Sequence, residues 1–199
     1  MKNRFIRALP LIALLAIPNK AQAADTYTFD PSHTSVIWKV AHMGFSAPHG
    51  IFSNIEGTLL FDEADVSKSK VDVVVKTDGI STGIKKFDDH LKNADFFDVE
   101  KFPEAKFVST QVKKTGKKTG KVTGDLTLNG VTKPVTLDVT FNKKAPHPMN
   151  QKPTVGFSAT GVIKRSEFGI KYALPAVGDD VTIQIEAEAN GEAAATTKE

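Results

Sequence analysis

The chain has 199 residues, no cysteine, and 26 Lys and Arg against 23 Asp and Glu. No disulfide can form, so the fold must rest on its own apolar core. The small basic excess is concentrated at the N-terminus, and a nucleic-acid role finds no support in the charge of the rest.

Lys2, Arg4 and Arg7 precede the apolar run ALPLIALLAI, and Ala21-Gln22-Ala23 closes the segment with small residues. That order of basic, apolar and small-residue regions is a secretory signal, with cleavage expected after Ala23. The run is shorter than the roughly 20 apolar residues that span a bilayer. Cleavage removes four of the 26 basic residues and none of the 23 acids, leaving a net charge of −1. No Cys follows for lipid attachment, so the expected destination is the periplasm, or the medium. Residues 24–190 suit one domain, and 191–199 read as a polar, Ala-rich disordered tail.

Between these ends, period-2 alternation dominates. After a short opening strand at 26–29, segment 34–43 puts Val36, Trp38, Val40 and His42 on one face. Segment 70–77 alternates Val71, Val73 and Val75 with polar residues. Segments 133–143, 154–164 and 181–189 do the same, with Val135, Leu137, Val139 and Phe141, then Val155, Phe157, Ala159 and Ile163, then Val181, Ile183 and Ile185. Segments 51–62, 105–113 and 119–128 are looser versions. One apolar face per strand is the mark of half-buried antiparallel strands. Asn129-Gly130 predicts a tight hairpin, Thr115-Gly116 with Thr119-Gly120 another turn, and 145–153 a longer loop. Within 82–93, Ile84, Phe87 and Leu91 recur at helical spacing, which predicts one short amphipathic helix. Eight or nine strands and one helix make an up-and-down barrel or a sandwich. Small residues on the apolar face, among them Gly124, Ala159, Gly161 and Ala187, favour a hollow interior.

Four clusters are candidate sites. His33, His42 and His49 lie close in sequence, but His33 and His42 are an odd number apart and face opposite ways on one strand, so a local metal site is geometrically poor. His33 reads as a turn residue beside Asp30-Pro31-Ser32. His42 is either a satisfied buried histidine or a polar group at one end of an apolar lumen. Asp88-Asp89-His90 stand on successive helix positions and diverge, so they read as solvated helix residues rather than an acid–base site. KKTGKKTGK at 113–121 is either a solvated hairpin tip or a contact for an anionic membrane surface. Arg165 keeps the inward phase of Ile163, and so needs an internal carboxylate or an anionic head group. Nothing in the chain resembles a nucleophile elbow or a phosphate loop.

Five blocks in order make the chain similar to the YceI-like, or polyisoprenoid-binding, family. They are Asp30-Pro31-Ser32-His33-Thr34-Ser35-Val36 with Trp38, Val40, His42 and Met43; Gly50-Ile51-Phe52 with Gly57 and Phe61-Asp62; Asp89-His90-Leu91 with Asp95-Phe96-Phe97-Asp98, Phe102-Pro103 and Ala105-Lys106-Phe107; the run from Gly124 to Val135; and Arg165-Ser166-Glu167-Phe168-Gly169. Trp38 stands where Phe is more usual and Glu167 where Asp is common. The resemblance implies an extended antiparallel eight-stranded lipocalin-like barrel with one short helix over an end or flank, and often a homodimer. It implies a non-enzymatic carrier with no cofactor, whose pore holds an isoprenoid lipid such as ubiquinone or a polyprenyl pyrophosphate. Strand phase then nominates Val36, Trp38, Val40, His42, Phe52, Phe61, Val73, Phe107, Leu126, Leu137, Val139, Phe157, Ile183 and Ile185 as lumen lining, with His42 and Arg165 at the head group. The alternatives are a stress-linked interaction protein with a closed, dry core, and an enzyme using His42 or the Asp88–His90 group.

Overall fold

The computed structural model describes residues 24–192. The signal segment 1–23 and tail residues 193–199 lie outside the described residues. Eleven strands form one sheet: β1 (Asp25–Phe29), β2 (Ser35–His42), β3 (His49–Phe52), β4 (Ile55–Phe61), β5 (Lys70–Lys76), β6 (Ile80–Ser81), β7 (Glu104–Lys114), β8 (Thr119–Leu128), β9 (Val131–Pro146), β10 (Pro153–Lys164) and β11 (Val177–Gly191). One α-helix, α1 (Lys85–Lys92), lies between β6 and β7. β11 runs one residue into the segment read as tail.

All pairings are antiparallel, and β1 pairs with β11 to close the ring. Short strands combine into longer staves. β11 pairs with β2 over its first half and with β1 at its end, so β1 and β2 are one stave. β3 and β4 make the second, because they pair with β2 and β1 respectively. β5 and β6 make the third. With β7 to β11 this is a closed eight-stave barrel in simple up-and-down order, which removes every long free edge.

The first three staves all break part-way along, and each break is held by specific hydrogen bonds. In the first, Asp30 accepts the Ser32 N–H at 2.8 Å and sits 3.0 Å from His33 Nδ1. The Thr34 hydroxyl donates to the Glu188 carbonyl at 3.1 Å and so reattaches the chain to β11. In the second, the Asn54 carbonyl accepts the Lys76 N–H at 2.9 Å. In the third, buried Thr77 donates its N–H to the Pro103 carbonyl at 3.0 Å and its hydroxyl to the Phe102 carbonyl at 2.7 Å. The Asp-Pro-Ser-His-Thr block is therefore a stave hinge built from an aspartate turn.

Turn chemistry follows the residues. Asn129 and Gly130 have φ of 52° and 75°, the positive pair that a two-residue hairpin requires. The loop between β9 and β10 narrows to residues 147–152, because the strands continue to Pro146 and from Pro153. α1 is one residue-face deep. Leu91 is buried, Phe87 packs behind it, and Lys85 pairs with Asp89 at 2.6 Å on the solvent side. Its start is tied down by Asp88, whose carboxylate accepts both the Thr82 N–H and hydroxyl at 2.6 Å. No helix among the described residues is long and apolar enough to cross a membrane.

Candidate ligand-binding lumen

The inner faces of the staves do not meet. They surround a cavity of about 550 Å³, within the range of small-molecule sites at about 300–1,000 Å³. The interior is thus not filled by side chains. Three apolar clusters line the wall. The first, around Leu128, Leu137, Ala159 and Phe168, and the third, around Trp38, Val40, Phe52 and Leu91, fill the end under α1. The second, around Tyr27, Phe29, Leu59 and Phe61, packs the far end. Many inward residues between them, including Val36, Val73, Phe107, Leu126 and Ile185, stay half-buried although they face the interior. Their remaining exposure is to the hollow.

Every residue nominated for the lining by strand phase does line the cavity except His42. Thus Val36, Trp38, Val40, Phe52, Phe61, Val73, Phe107, Leu126, Leu137, Val139, Phe157, Ile183 and Ile185 share one wall, and Arg165 joins it. His42 is a correction. It ends β2 opposite Val177, and its N–H donates to the Ser46 carbonyl at 2.9 Å in the tight β2–β3 turn. Two extra residues of β11 between Val177 and Val181 break the ladder just before it, and His42 lies past that break and outside the cavity lining.

Arg165 is a second correction. It is buried and holds no carboxylate, and four of its five N–H groups are taken by backbone carbonyls. Nε donates to the Gly178 carbonyl at 2.8 Å, Nη1 to the Ile170 and Tyr172 carbonyls at 3.1 and 2.9 Å, and Nη2 to the Val177 carbonyl at 2.9 Å. Burial pushes the guanidinium pKa down, opposed by the field of Asp179. Asp179 itself accepts the N–H and hydroxyl of Ser166, both at 2.8 Å. Arg165 is a staple for the loop of residues 169–176, which closes this end of the barrel.

The helix end is closed by aromatic packing. Phe52 meets Phe97 edge-on at 5.3 Å, and Phe96 packs against His90 and Tyr172 at 5.0 and 5.3 Å. Asp88, Asp89 and His90 have separate partners: Thr82, Lys85 and the Asn93 side chain. They do not converge on one point, and neither does His42 join them. Among the described residues, no group of three His, Asp or Glu side chains has metal-binding geometry.

The open end lies elsewhere. The exposed residues of the lining are Glu63 and members of one hairpin tip: Lys113, Lys114, Lys117, Lys118 and Thr119. The cavity therefore reaches solvent beneath the β7–β8 turn. Period counting on β7 missed this. A bulge between Ser109 and Gln111 shifts the register, so the inward row runs Ala105, Phe107, then Val112 and Lys114. Nearby, Lys144 sits between Asp25 and Glu63 at 3.0 and 3.2 Å, and its ammonium lies 5.9 Å from the Phe61 ring. Burial pulls the Lys144 pKa down, but its bonds to those two carboxylates more than offset this and leave it raised.

A mouth of this shape over an apolar lumen suits an amphiphile. The profile of the YceI-like domain matches residues 27–189. The chain belongs to the YceI-like family. A UPF0312 protein of Pseudomonas putida (strain W619) is 44% identical over 173 residues, covering 86% of this chain and 89% of that protein. A UPF0312 protein of Pectobacterium atrosepticum is 37% identical over 190 residues, covering 94% and 97%. Among solved structures, this YceI-like barrel matches Burkholderia cenocepacia BcnA with a TM-score of 0.73 and 25% identity, over 80% of this chain and 98% of that one. It matches the Campylobacter jejuni YCEI protein with a TM-score of 0.68 and 33% identity, over 77% and 90%. A polyisoprenoid binding domain from Saccharophagus degradans shares the fold, with a TM-score of 0.61 over 86% of this YceI-like chain and all of the other, at 13% identity.

Proposed function

We propose that this YceI-like protein is an exported, non-enzymatic carrier of an isoprenoid lipid in the periplasm. The observation that carries the reading is the hollow, apolar lumen of about 550 Å³ that opens beneath a lysine-rich rim. A prenyl tail is almost insoluble in water, and each CH₂ moved into such a lumen gains about 0.8 kcal/mol. A closed barrel without long free edges can sheathe the tail while staying dispersed itself. Isoprenoid quinones and polyprenyl pyrophosphates both have the required shape. The name of the Saccharophagus degradans domain points the same way, as does the signal segment Met1–Ala23 for export. The lysine-rich rim suits transient contact with an anionic membrane surface during loading.

The test is native mass spectrometry on protein produced with its signal intact and purified without detergent, followed by solvent extraction. A stoichiometric prenyl lipid, carried by a homodimer, is the expected species. Lipid-free protein that also takes up neither quinone nor prenyl pyrophosphate would overturn the carrier reading. Cell fractionation checks the compartment separately.

A further inference from the structure

The mouth of the lumen has two banks. One is the β7–β8 hairpin. The other is the connection from β4 to β5, residues 62–69, which runs along the mouth as a strap. Glu63, Val66 and Ser69 of the strap line the lumen, and Val66 packs against the cluster around Phe61.

The strap is a closed unit with a narrow neck. At the neck the Asp62 N–H donates to the Ser69 hydroxyl at 3.0 Å, and both residues are buried. Inside the strap the Asp62 carboxylate accepts the Asp65 N–H at 2.8 Å. The Asp65 carboxylate caps the single 3-10 turn Val66–Lys68, accepting the Ser67 N–H at 3.2 Å and its hydroxyl at 2.6 Å. The Asp65 and Val66 carbonyls accept the Lys68 and Ser69 N–H groups at 3.0 and 3.1 Å. Among the described residues, one bond ties residues 63–68 to the rest of the barrel, from the Lys144 ammonium to Glu63 at 3.2 Å. A compact loop that satisfies itself and is pinned at its neck moves as one body.

The strap also has room to move. Between it and β7 lies a second cavity of about 260 Å³, lined by Glu63–Ser67 on one side and Val112–Lys114 on the other. This cleft adjoins the mouth, because Glu63, Val66 and Val112 line both spaces. Val66 and Val112 are half-buried on its two sides. Closing the cleft would take both valines further out of water, which is favourable. The bond given up is an ion pair whose Glu63 side chain is 61% exposed, and pairs of that kind hold weakly.

We infer that residues 62–69 are a lid, standing open, that closes the lumen by swinging about the Asp62–Ser69 neck into the cleft and setting Val66 against Val112. The Glu63–Lys144 pair is the latch that holds it open. Lys144 is a fixed post for the latch, because Asp25 holds it from the other side at 3.0 Å. The lid rests on the carrier reading and adds to it a control on how fast a guest enters and leaves.

The experiment measures exchange of farnesol, an uncharged prenyl alcohol, between the protein and phosphatidylcholine vesicles. The single tryptophan, Trp38, lines the lumen and reports occupancy by fluorescence. The chain has no cysteine of its own, so V66C/V112C places one thiol pair across the cleft. Oxidation with diamide should join the pair, and release of farnesol from the joined protein should all but stop. A dithiol should restore the original rate, which separates closure from damage to the fold. E63Q removes the latch without any cross-link and should slow release about two- to fivefold, the range set by a weak ion pair. A thiol pair that diamide does not join shows that the strap does not reach β7, and overturns the lid. So does a joined protein that releases farnesol at the reduced rate constant. Release from E63Q at the wild-type rate or faster overturns the latch. In these three cases farnesol still binds and the carrier reading stands. Failure of farnesol to enter the wild-type lumen overturns the carrier reading and the lid with it.

Discussion

Gly50 lies flat against the Trp38 indole across the β2–β3 pair, so closely that a Cβ at residue 50 would stand 2.6 Å from Trp38 Cζ2. Gly50 is needed there for space alone. Gly50→Ala should destabilise the barrel by about 1–3 kcal/mol through overpacking, measured by urea unfolding. Trp38→Phe removes Cζ2 and also the indole Nε1, which is buried without a hydrogen-bond partner. The double variant should therefore be more stable than the sum of the two single losses predicts, with a coupling of about 0.5–3 kcal/mol. Strict additivity would show that the two residues do not share this contact.

Arg165 should be the costliest single loss in the lumen wall. Arg165→Met keeps the stem but leaves four carbonyls of residues 170–178 without their donor. A destabilisation of about 3 kcal/mol or more is expected. Hydrogen exchange should show the largest protection losses in residues 169–178. Lipid binding at the far mouth should persist at temperatures where the variant remains folded. A variant as stable as the wild type would remove the staple role.

The stave hinge carries a pH signature. The bond to Asp30 raises the His33 pKa above 6.5, helped by the fields of Asp30 and Glu188. The same bond, with the Ser32 N–H, lowers the Asp30 pKa below 3.8. The raised histidine contributes fully below pH 6.5 and loses its contribution as pH rises through its folded pKa. The lowered aspartate contributes above pH 3.8 and loses it as pH falls through its own. Both contributions are present together between those limits. An NMR titration should give a His33 pKa above 6.5, and Asp30→Asn should bring it back down. An unshifted His33 in the wild-type protein would show that the pair does not form in solution.

The hollow predicts an inverted response to enlargement. In a filled core, adding a ring costs about 1–3 kcal/mol. Val139 is half-buried against the cavity, so Val139→Phe should have a thermal midpoint equal to or above that of the wild-type apo protein. The same change should weaken farnesol binding several-fold, because it removes lumen volume. A clear loss of stability would mean that this part of the wall is already packed.

Much of the barrel was legible as period-2 alternation, because a stave with one apolar face has to turn it inward. The Asn129-Gly130 hairpin was legible because only a few residue pairs accept two positive φ values. Four things were not. The staves' breaks at residues 53–54 and at Thr77–Gly79 carry no proline, and they are fixed by contacts with distant residues such as Pro103. His42 follows its strand's pattern, but two extra residues of the partner strand between Val177 and Val181 break the ladder beside it, and nothing in β2 itself announces that. The inward turn of Lys114 depends on a bulge near Thr110, and a one-residue slip reverses the phase of everything after it. Arg165 was rightly placed inside, but the carbonyls that occupy it come from a loop whose path no local pattern announces.

The half-buried valines and phenylalanines of the lumen have a consequence for the protein's lifetime. Their wall lacks an opposing layer, and any guest that supplies one adds its binding free energy to the folded state only. An emptied barrel is then the less durable form of the same chain, more prone to open and be degraded. The amount of protein would track the supply of its cargo without any dedicated sensor.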